Sequence, residues 1–389
     1  MKNLHFARRF GPTALMLGNI VTGCSVLAPA GMLVELSDGL DVTIRAAGLL
    51  ITFGAIVLCV GSPLTAWLTS RIERRTLLSV TLAVLALTNA ASAFAADYSS
   101  LLIIRLVMLA VGALYTPQAA GTGALIVPAE KRGSTIAYIF LGWSLAAAIG
   151  LPLITFIASR YGFRAVYGCI GLMGCVSCLL VMWRLPRGLL GAPVDLKTWA
   201  ELGRNRMIIV LLAITTLQMS GQFVVFTFMG PLLAKLTGAG PDATGLVFAL
   251  YGICGFIGIV IATRIVDSWG AYRTSVLFTM LMLAGVTGWA LSAGVYALMA
   301  GSVAIWGLGF ASTNSMQQVR LVSAAPALAS ASVSLNTSVL YVGQAVGSAI
   351  GGFLYARDWL HGTGYVAMAF IALALTTVIL TRPRLAGAE

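Results

Sequence analysis

GSPLTAWLTSRIERR, residues 61–75, and GIVIATRIVDSWGAYR, residues 258–273, follow one design. Each leaves an apolar helix through a tight, arginine-bearing turn, and they begin about 197 residues apart in a chain of 389. A turn that recurs at half the length of a chain marks two similar halves. Apolar runs flank both copies, each near the roughly 20 residues that carry a helix across a bilayer.

Twelve spans are predicted, at 11–34, 45–69, 77–95, 101–127, 135–158, 165–184, 207–234, 243–266, 275–292, 297–320, 330–355 and 364–381. The runs are continuous rather than alternating, which excludes a transmembrane β-barrel. Composition agrees. The chain is 59% hydrophobic and 9% charged, with mean hydropathy +0.96, whereas a soluble domain carries about 25% charged residues. The expected fold class is an all-α polytopic membrane protein of twelve transmembrane helices in two six-helix repeats. The one long connection, LPRGLLGAPVDLKTWAELGRNR (185–206), is polar and basic and holds Pro and Gly. It divides the chain into a bundle over 1–184, a cytoplasmic linker over 185–206 and a second bundle over 207–389.

The net charge of +12 has a membrane explanation. Of the 24 Lys and Arg, five (Arg45, Arg160, Arg164, Lys235 and Arg357) fall on one side, Arg105 falls inside span four, and the remaining eighteen fall on the other side. The richer side is the cytoplasmic one, so both termini are expected inside and no nucleic-acid partner is expected. The basic start MKNLHFARRF is followed by an apolar run to about Val34. That run is too long for a signal-peptide core, so an uncleaved first helix is expected.

No nucleotide-binding loop is present, so ATP is not the direct energy source. His5 and His361 lie in a tail and a loop, and the six cysteines sit in apolar stretches. Cys175 and Cys178 form a CxxC without a second pair or a nearby histidine, so no metal and no cofactor is expected. The same absences leave no nucleophile–base pair, and no enzyme is expected. Two parallel six-helix repeats point instead to a secondary transporter with its site near mid-membrane.

At these residues the chain resembles the major facilitator superfamily, and more narrowly its bacterial drug and sugar efflux branch. The turn after span two resembles the family's gate pattern G-x-x-x-D-R-x-G-R-R through Arg71, Arg74 and Arg75, but Ser70 stands at the acidic position and Glu73 at the second glycine. The second copy supplies Asp267 and Gly270 at the equivalent places. Span four resembles the family's arginine motif through Arg105 and Gly112. GWSLAAAIGLPL (142–153) resembles the antiporter motif G-x₇-G-x-P through Gly142, Gly150 and Pro152. Small residues there would let span five approach its neighbours, span two among them. SLNTSVLYVGQAVGSAIGG on span eleven is similar to the family's glycine-rich counterpart. The resemblance implies a bacterial inner-membrane exporter working by alternating access, with proton antiport, a small-molecule substrate, the lipid bilayer as its other partner and a monomeric state.

The residues themselves leave the coupling open. All twelve acidic residues can be placed in loops or at helix ends. Arg105 either snorkels outward from its helix or points into the bundle to hold a polar network or substrate. Glu35, the acid closest to the hydrocarbon edge, is either a solvated helix-end carboxylate or Arg105's partner in coupling. The resemblance implies Arg71, Arg74, Arg75 and Asp267 as gate residues. Spans one, four, seven and ten line the cavity in this family, so Asn19, Gln118, Gln218, Gln222, Phe226 and Asn314 are candidate substrate contacts, joined by Asn336 and Tyr341 on span eleven. Their alternative is interhelical hydrogen bonding, worth about 0.6 kcal/mol each. Trp143, Phe140, Tyr251, Phe223, Phe228 and Trp306 read as packing or lipid-facing aromatics. Amides and aromatics with few charges suit a neutral or amphipathic solute: a sugar, a nucleoside or an uncharged drug.

Overall fold

The computed structural model describes residues 2–69, 71–128, 132–190, 203–325 and 329–382. Among them it is all helix, without strands. Span one is α1 (Lys2–Gly31), followed by the short amphipathic α2 (Leu33–Leu40). Spans two and three are α3 (Ile44–Leu68) and α4 (Arg74–Ala93). Span four is α5 (Tyr98–Gly112) continued by α6 (Tyr115–Ile126). Span five is α7 (Arg132–Leu145), a π turn at Ala146–Gly150 and the start of α8 (Leu151–Arg184), whose remainder is span six. Span seven is α9 (Arg206–Phe226) with α10 (Met229–Thr237). Spans eight and nine share α11 (Pro241–Leu291), and α12 (Tyr296–Ala324), α13 (Ala329–Ala356) and α14 (Leu360–Leu380) complete the chain.

Two of these helices are hairpins. The apolar stretch Tyr138–Arg184 has 47 residues, about 70 Å at 1.5 Å per residue, more than twice a hydrocarbon core of about 30 Å. It folds back at Gly162, where φ is 78° and ψ is 166°. Gly270 repeats the device inside α11, at φ 78° and ψ 154°. Only glycine takes such a conformation without strain. With both hairpins counted, the described residues make twelve spans.

Prolines explain the breaks that hydropathy does not. Proline lacks an N–H and crowds the carbonyl four residues before it. Pro117 would face the Ala113 carbonyl, and span four breaks at residues 113–114. Pro231 would face Thr227, and span seven breaks at residues 227–228. The π turn in span five stands directly before Pro152, the widened turn absorbing the missing donor.

The described residues group into two compact units. One holds the chain up to residue 190 with 240–249, and the other holds 203–239 with 250–382. In the first, Gly171 and Gly174 of span six press on the backbone of Ala86 and Ala90 in span three. Span five packs against span one, not span two as anticipated: Gly142 lies against the Met16 carbonyl and Gly150 against the Cys24 sulfur. Pairing through small residues lets the backbones approach until dispersion holds them. In the second unit, Gly343, Gly347 and Gly351 share one face of span eleven and press on the carbonyls of Thr216, Ser220 and Val224 in span seven. A methyl group at Gly142 would stand 2.5 Å from the Met16 oxygen and 2.8 Å from Asn19 Cβ. Backbone cannot step aside, so Gly142→Ala is expected to cost about 1–3 kcal/mol. Detergent-solubilised Gly142→Ala that melts with the wild type would remove the close contact from the account.

Candidate functional site

Arg105 lies two turns into α5 and is 1% exposed. It does not snorkel. Nε donates to the Leu50 carbonyl at 3.0 Å, Nη1 to Ser25 at 3.0 Å and Nη2 to Val26 at 2.8 Å. Sequence supplies the reason. Pro29 has no N–H to give the Ser25 carbonyl, so that oxygen lacks its helical donor, and the guanidinium provides one. Asn89 on α4 joins the same point, its Nδ2 donating to Ser25 Oγ at 3.0 Å. The buried Tyr167 hydroxyl on α8 interacts electrostatically with the guanidinium. Arg105 therefore ties spans one, two and four together, with spans three and six beside it.

Among the described residues no carboxylate pairs with Arg105; the ion pair present elsewhere joins Lys235 to Asp358 at 3.1 Å. Glu35 is half-buried on α2. Desolvation holds its carboxyl above the ordinary range, its own backbone N–H opposes the rise, and Asp38 adds to it. The structure thus brings neither Glu35 nor another rim acid onto Arg105.

Asn19 is fully buried in a satisfied network. Its Nδ2 donates to the Ile139 carbonyl at 2.9 Å, its Oδ1 accepts from Thr116 at 2.8 Å, and Trp143 Nε1 donates to the Thr116 hydroxyl at 3.0 Å. Spans one, four and five meet there. Gln118 is buried on α6, and its side-chain amide makes no hydrogen bond to another described residue.

The second unit gathers more of the predicted residues. Asn336 donates to Asn314 Oδ1 at 3.1 Å and accepts from Thr215 at 2.7 Å, joining spans seven, ten and eleven. Gln218 donates to Thr279 at 3.0 Å, leaving its Oε1 buried without a partner. Gln222 accepts from Trp306 Nε1 at 3.2 Å, leaving its Nε2 buried without a partner. Tyr251 is fully buried with an unpartnered hydroxyl. Aromatic rings cluster at Gln222 and Tyr251. Phe226 lies 5.0 Å from Tyr251 and edge-on to Trp306 at 6.5 Å, and Phe310 stacks on Tyr251 at 5.3 Å. Tyr341, on span eleven, is buried as well.

Three buried polar atoms without partners are unusual in one small region, because each costs about 1–3 kcal/mol if left dry. Tyr251 and Trp306 carry much of this cluster, although in the sequence they read as packing or lipid-facing aromatics. The available signal was position: Trp and Tyr usually anchor at the interfaces, and these two lie mid-span. Ser25, Asn89, Tyr167, Thr116, Thr215 and Thr279 gave no signal, since single hydroxyls and amides are common in spans.

At the first basic turn Arg74 is buried, with Nε and Nη1 unpartnered, and its backbone N–H donates to the Leu189 carbonyl at 2.8 Å. Arg71 is exposed and Arg75 half-buried. Where the second turn uses Gly270 at positive φ, the first places Glu73 at φ −55° and uses the carboxylate instead. Glu73 accepts from the Thr76 hydroxyl and the Gly188 N–H, both at 2.6 Å. Those two donors, with Arg75 and Arg187 nearby, hold its carboxyl below the ordinary range. The Asp267 side chain lies outside the described residues, as do Ser70 and residues 191–202 of the linker.

Comparison with known proteins decides the family. The Major Facilitator Superfamily model matches residues 15–337 and 211–388. The chain belongs to the major facilitator superfamily. It is a multi-pass membrane transporter, not an enzyme. It is 29% identical over 374 residues to the inner membrane transport protein YdhP of Escherichia coli K12, covering 95% of each chain. It is 25% identical over 363 residues to a probable sugar efflux transporter of Mannheimia succiniciproducens, covering 90% of this chain and 88% of that one. A crystal structure of a D-xylose–proton symporter superposes with a TM-score of 0.78 at 16% identity, over 96% of this chain and 97% of that one. At that identity the likeness shows the superfamily fold alone.

Proposed function

We propose that this transporter exports a small neutral solute bearing hydroxyl or amide groups on a ring, a sugar, a nucleoside or an uncharged drug, by alternating access. The carrying observation is the set of unpartnered atoms in the second unit. Gln218 Oε1 accepts, one helical turn on Gln222 Nε2 donates, and the Tyr251 hydroxyl does either, with the rings of Phe226, Trp306 and Phe310 beside Gln222 and Tyr251. Neutral donors and acceptors beside aromatic faces match a polyhydroxylated ring better than an ion. The likeness to a probable sugar efflux transporter supports both the solute class and the outward direction. The protein works as a monomer in a bacterial inner membrane, with 1–184 and 207–389 as its two bundles, the 185–206 linker and both termini in the cytoplasm.

Exchange for protons is the proposed energy source, with Glu35 as the titrating group and Arg105 holding span one around it. Its raised affinity for a proton favours uptake from the side it faces. Proteoliposomes loaded with the candidate sugars and nucleosides provide the test. Transport by the wild type is expected to rise several-fold under an imposed pH gradient, while Glu35→Gln equilibrates solute at the same rate with and without it. A gradient response that survives Glu35→Gln removes that residue from coupling. A second reading, an uncoupled facilitator, is favoured by the placement of every acid in a loop or at a helix end; a wild type indifferent to the gradient would establish it.

A further inference from the structure

Beside the first basic turn a groove of about 570 Å³ runs between the start of α4 and the end of α8. Arg75 and Arg187 stand at its mouth with Glu73. Both oxygens of Glu73 are engaged, by Thr76 and by the Gly188 N–H. Neither guanidinium donates to another described residue, so their donors remain for something outside. Two arginines against one carboxylate leave the mouth positive, with Glu73 opposing an anion there and both arginines favouring it.

Deeper in, the lining changes character. Val80, Ala83 and Met182 form an apolar wall, and Val80 is 54% exposed, open to the surface that faces lipid. Ser79 also lines the groove. It is only 8% exposed, and its hydroxyl has no partner within the protein. Trp183, one residue beyond Met182, is 68% exposed and carries Arg184 stacked 3.9 Å from its ring. An exposed Trp with Arg at a span end sits at headgroup level, which puts the mouth of this groove at the same depth.

We propose that this groove binds an anionic phospholipid, its phosphate held by Arg75 and Arg187, its ester region at Ser79 and one acyl chain along Val80, Ala83 and Met182. Paired guanidiniums recognise phosphate oxygens through charge-assisted hydrogen bonds, and basic pockets between spans at the membrane surface suit anionic headgroups. A free phosphate would meet the same arginines but gain nothing from the apolar wall, so the occupant is the lipid.

The test is the thermal stability of the full-length protein in detergent, since a ligand of the native state raises it. Phosphatidylglycerol is added against equal phosphatidylcholine or inorganic phosphate. The wild type is expected to gain a melting shift of a few degrees with phosphatidylglycerol and none with the other two. Arg187→Glu, at an exposed site, and Val80→Trp, which fills the groove, are each expected to lose most of that shift. Arg160→Glu, at the opposite end of span five, should keep it. An undiminished shift in Arg187→Glu, an equal shift with inorganic phosphate or phosphatidylcholine, or an equal loss in Arg160→Glu would each overturn the proposal.

Discussion

Arg105→Ala is expected to reduce transport to background and to destabilise the first unit by about 3 kcal/mol or more. The magnitude follows from its three bonds. A hydrogen bond to a charged group contributes about 1.5–3 kcal/mol, and a buried acceptor left bare costs about 1–3 kcal/mol. The Leu50 and Val26 carbonyls can fall back on their helical donors, but Ser25 cannot, because Pro29 has none to offer. The loss is therefore concentrated at one oxygen. Arg105→Lys should recover little, since an ammonium cannot span three carbonyls on two helices as the planar fork does.

Pro29→Ala restores an N–H opposite Ser25, so the alanine substitution at Arg105 should cost less in that background. A double-mutant cycle on melting of the detergent-solubilised protein is expected to give a coupling of about 1 kcal/mol, well beyond the additivity error of distant sites. Additive losses would show that proline and arginine act separately. Transport measured on the same four proteins separates scaffold from mechanism: full transport by folded Arg105→Ala would make the arginine a structural tie alone.

Arg105 is legible in the sequence by its position and not by its partners. Its depth in an apolar run identified it as costly and therefore purposeful, and the twelve spans and two halves were legible for the same reason: bilayer length and hydropathy act on each segment alone. Its partners were not legible, because the oxygens it binds belong to backbone about 55 and 80 residues away. Acidic residues were the natural partners to seek for an arginine, and the true partner was a carbonyl exposed by a proline. In the sequence Glu73 stands where the family pattern has its second glycine. The turn around it instead avoids positive φ, and the carboxylate holds residue 188. Asn19 and Asn336, predicted among the substrate contacts, make networks in which both amide atoms are engaged. Residue type and depth cannot distinguish such an amide from one left open.

The open atoms of the second unit are expected to set the affinity for solute. Tyr251→Phe removes a hydroxyl that is buried and unpartnered, and nothing else. If that hydroxyl were packing, the change would leave transport alone. If it waits for substrate, removing it is expected to raise the KM for export about tenfold, the loss of one hydrogen bond of about 1.4 kcal/mol. The unliganded protein should meanwhile hold its melting temperature or gain on it, because an unsatisfied buried group is destabilising. Loss of function with unchanged or increased stability is the signature of a group kept for binding. Gln222→Met should behave similarly but with a penalty, since it also strips the acceptor from Trp306 Nε1. The pair then ranks itself: Tyr251→Phe is the more stable variant, and both are weak transporters. A Tyr251→Phe variant with wild-type KM across sugars, nucleosides and uncharged drugs would move the binding site away from this cluster.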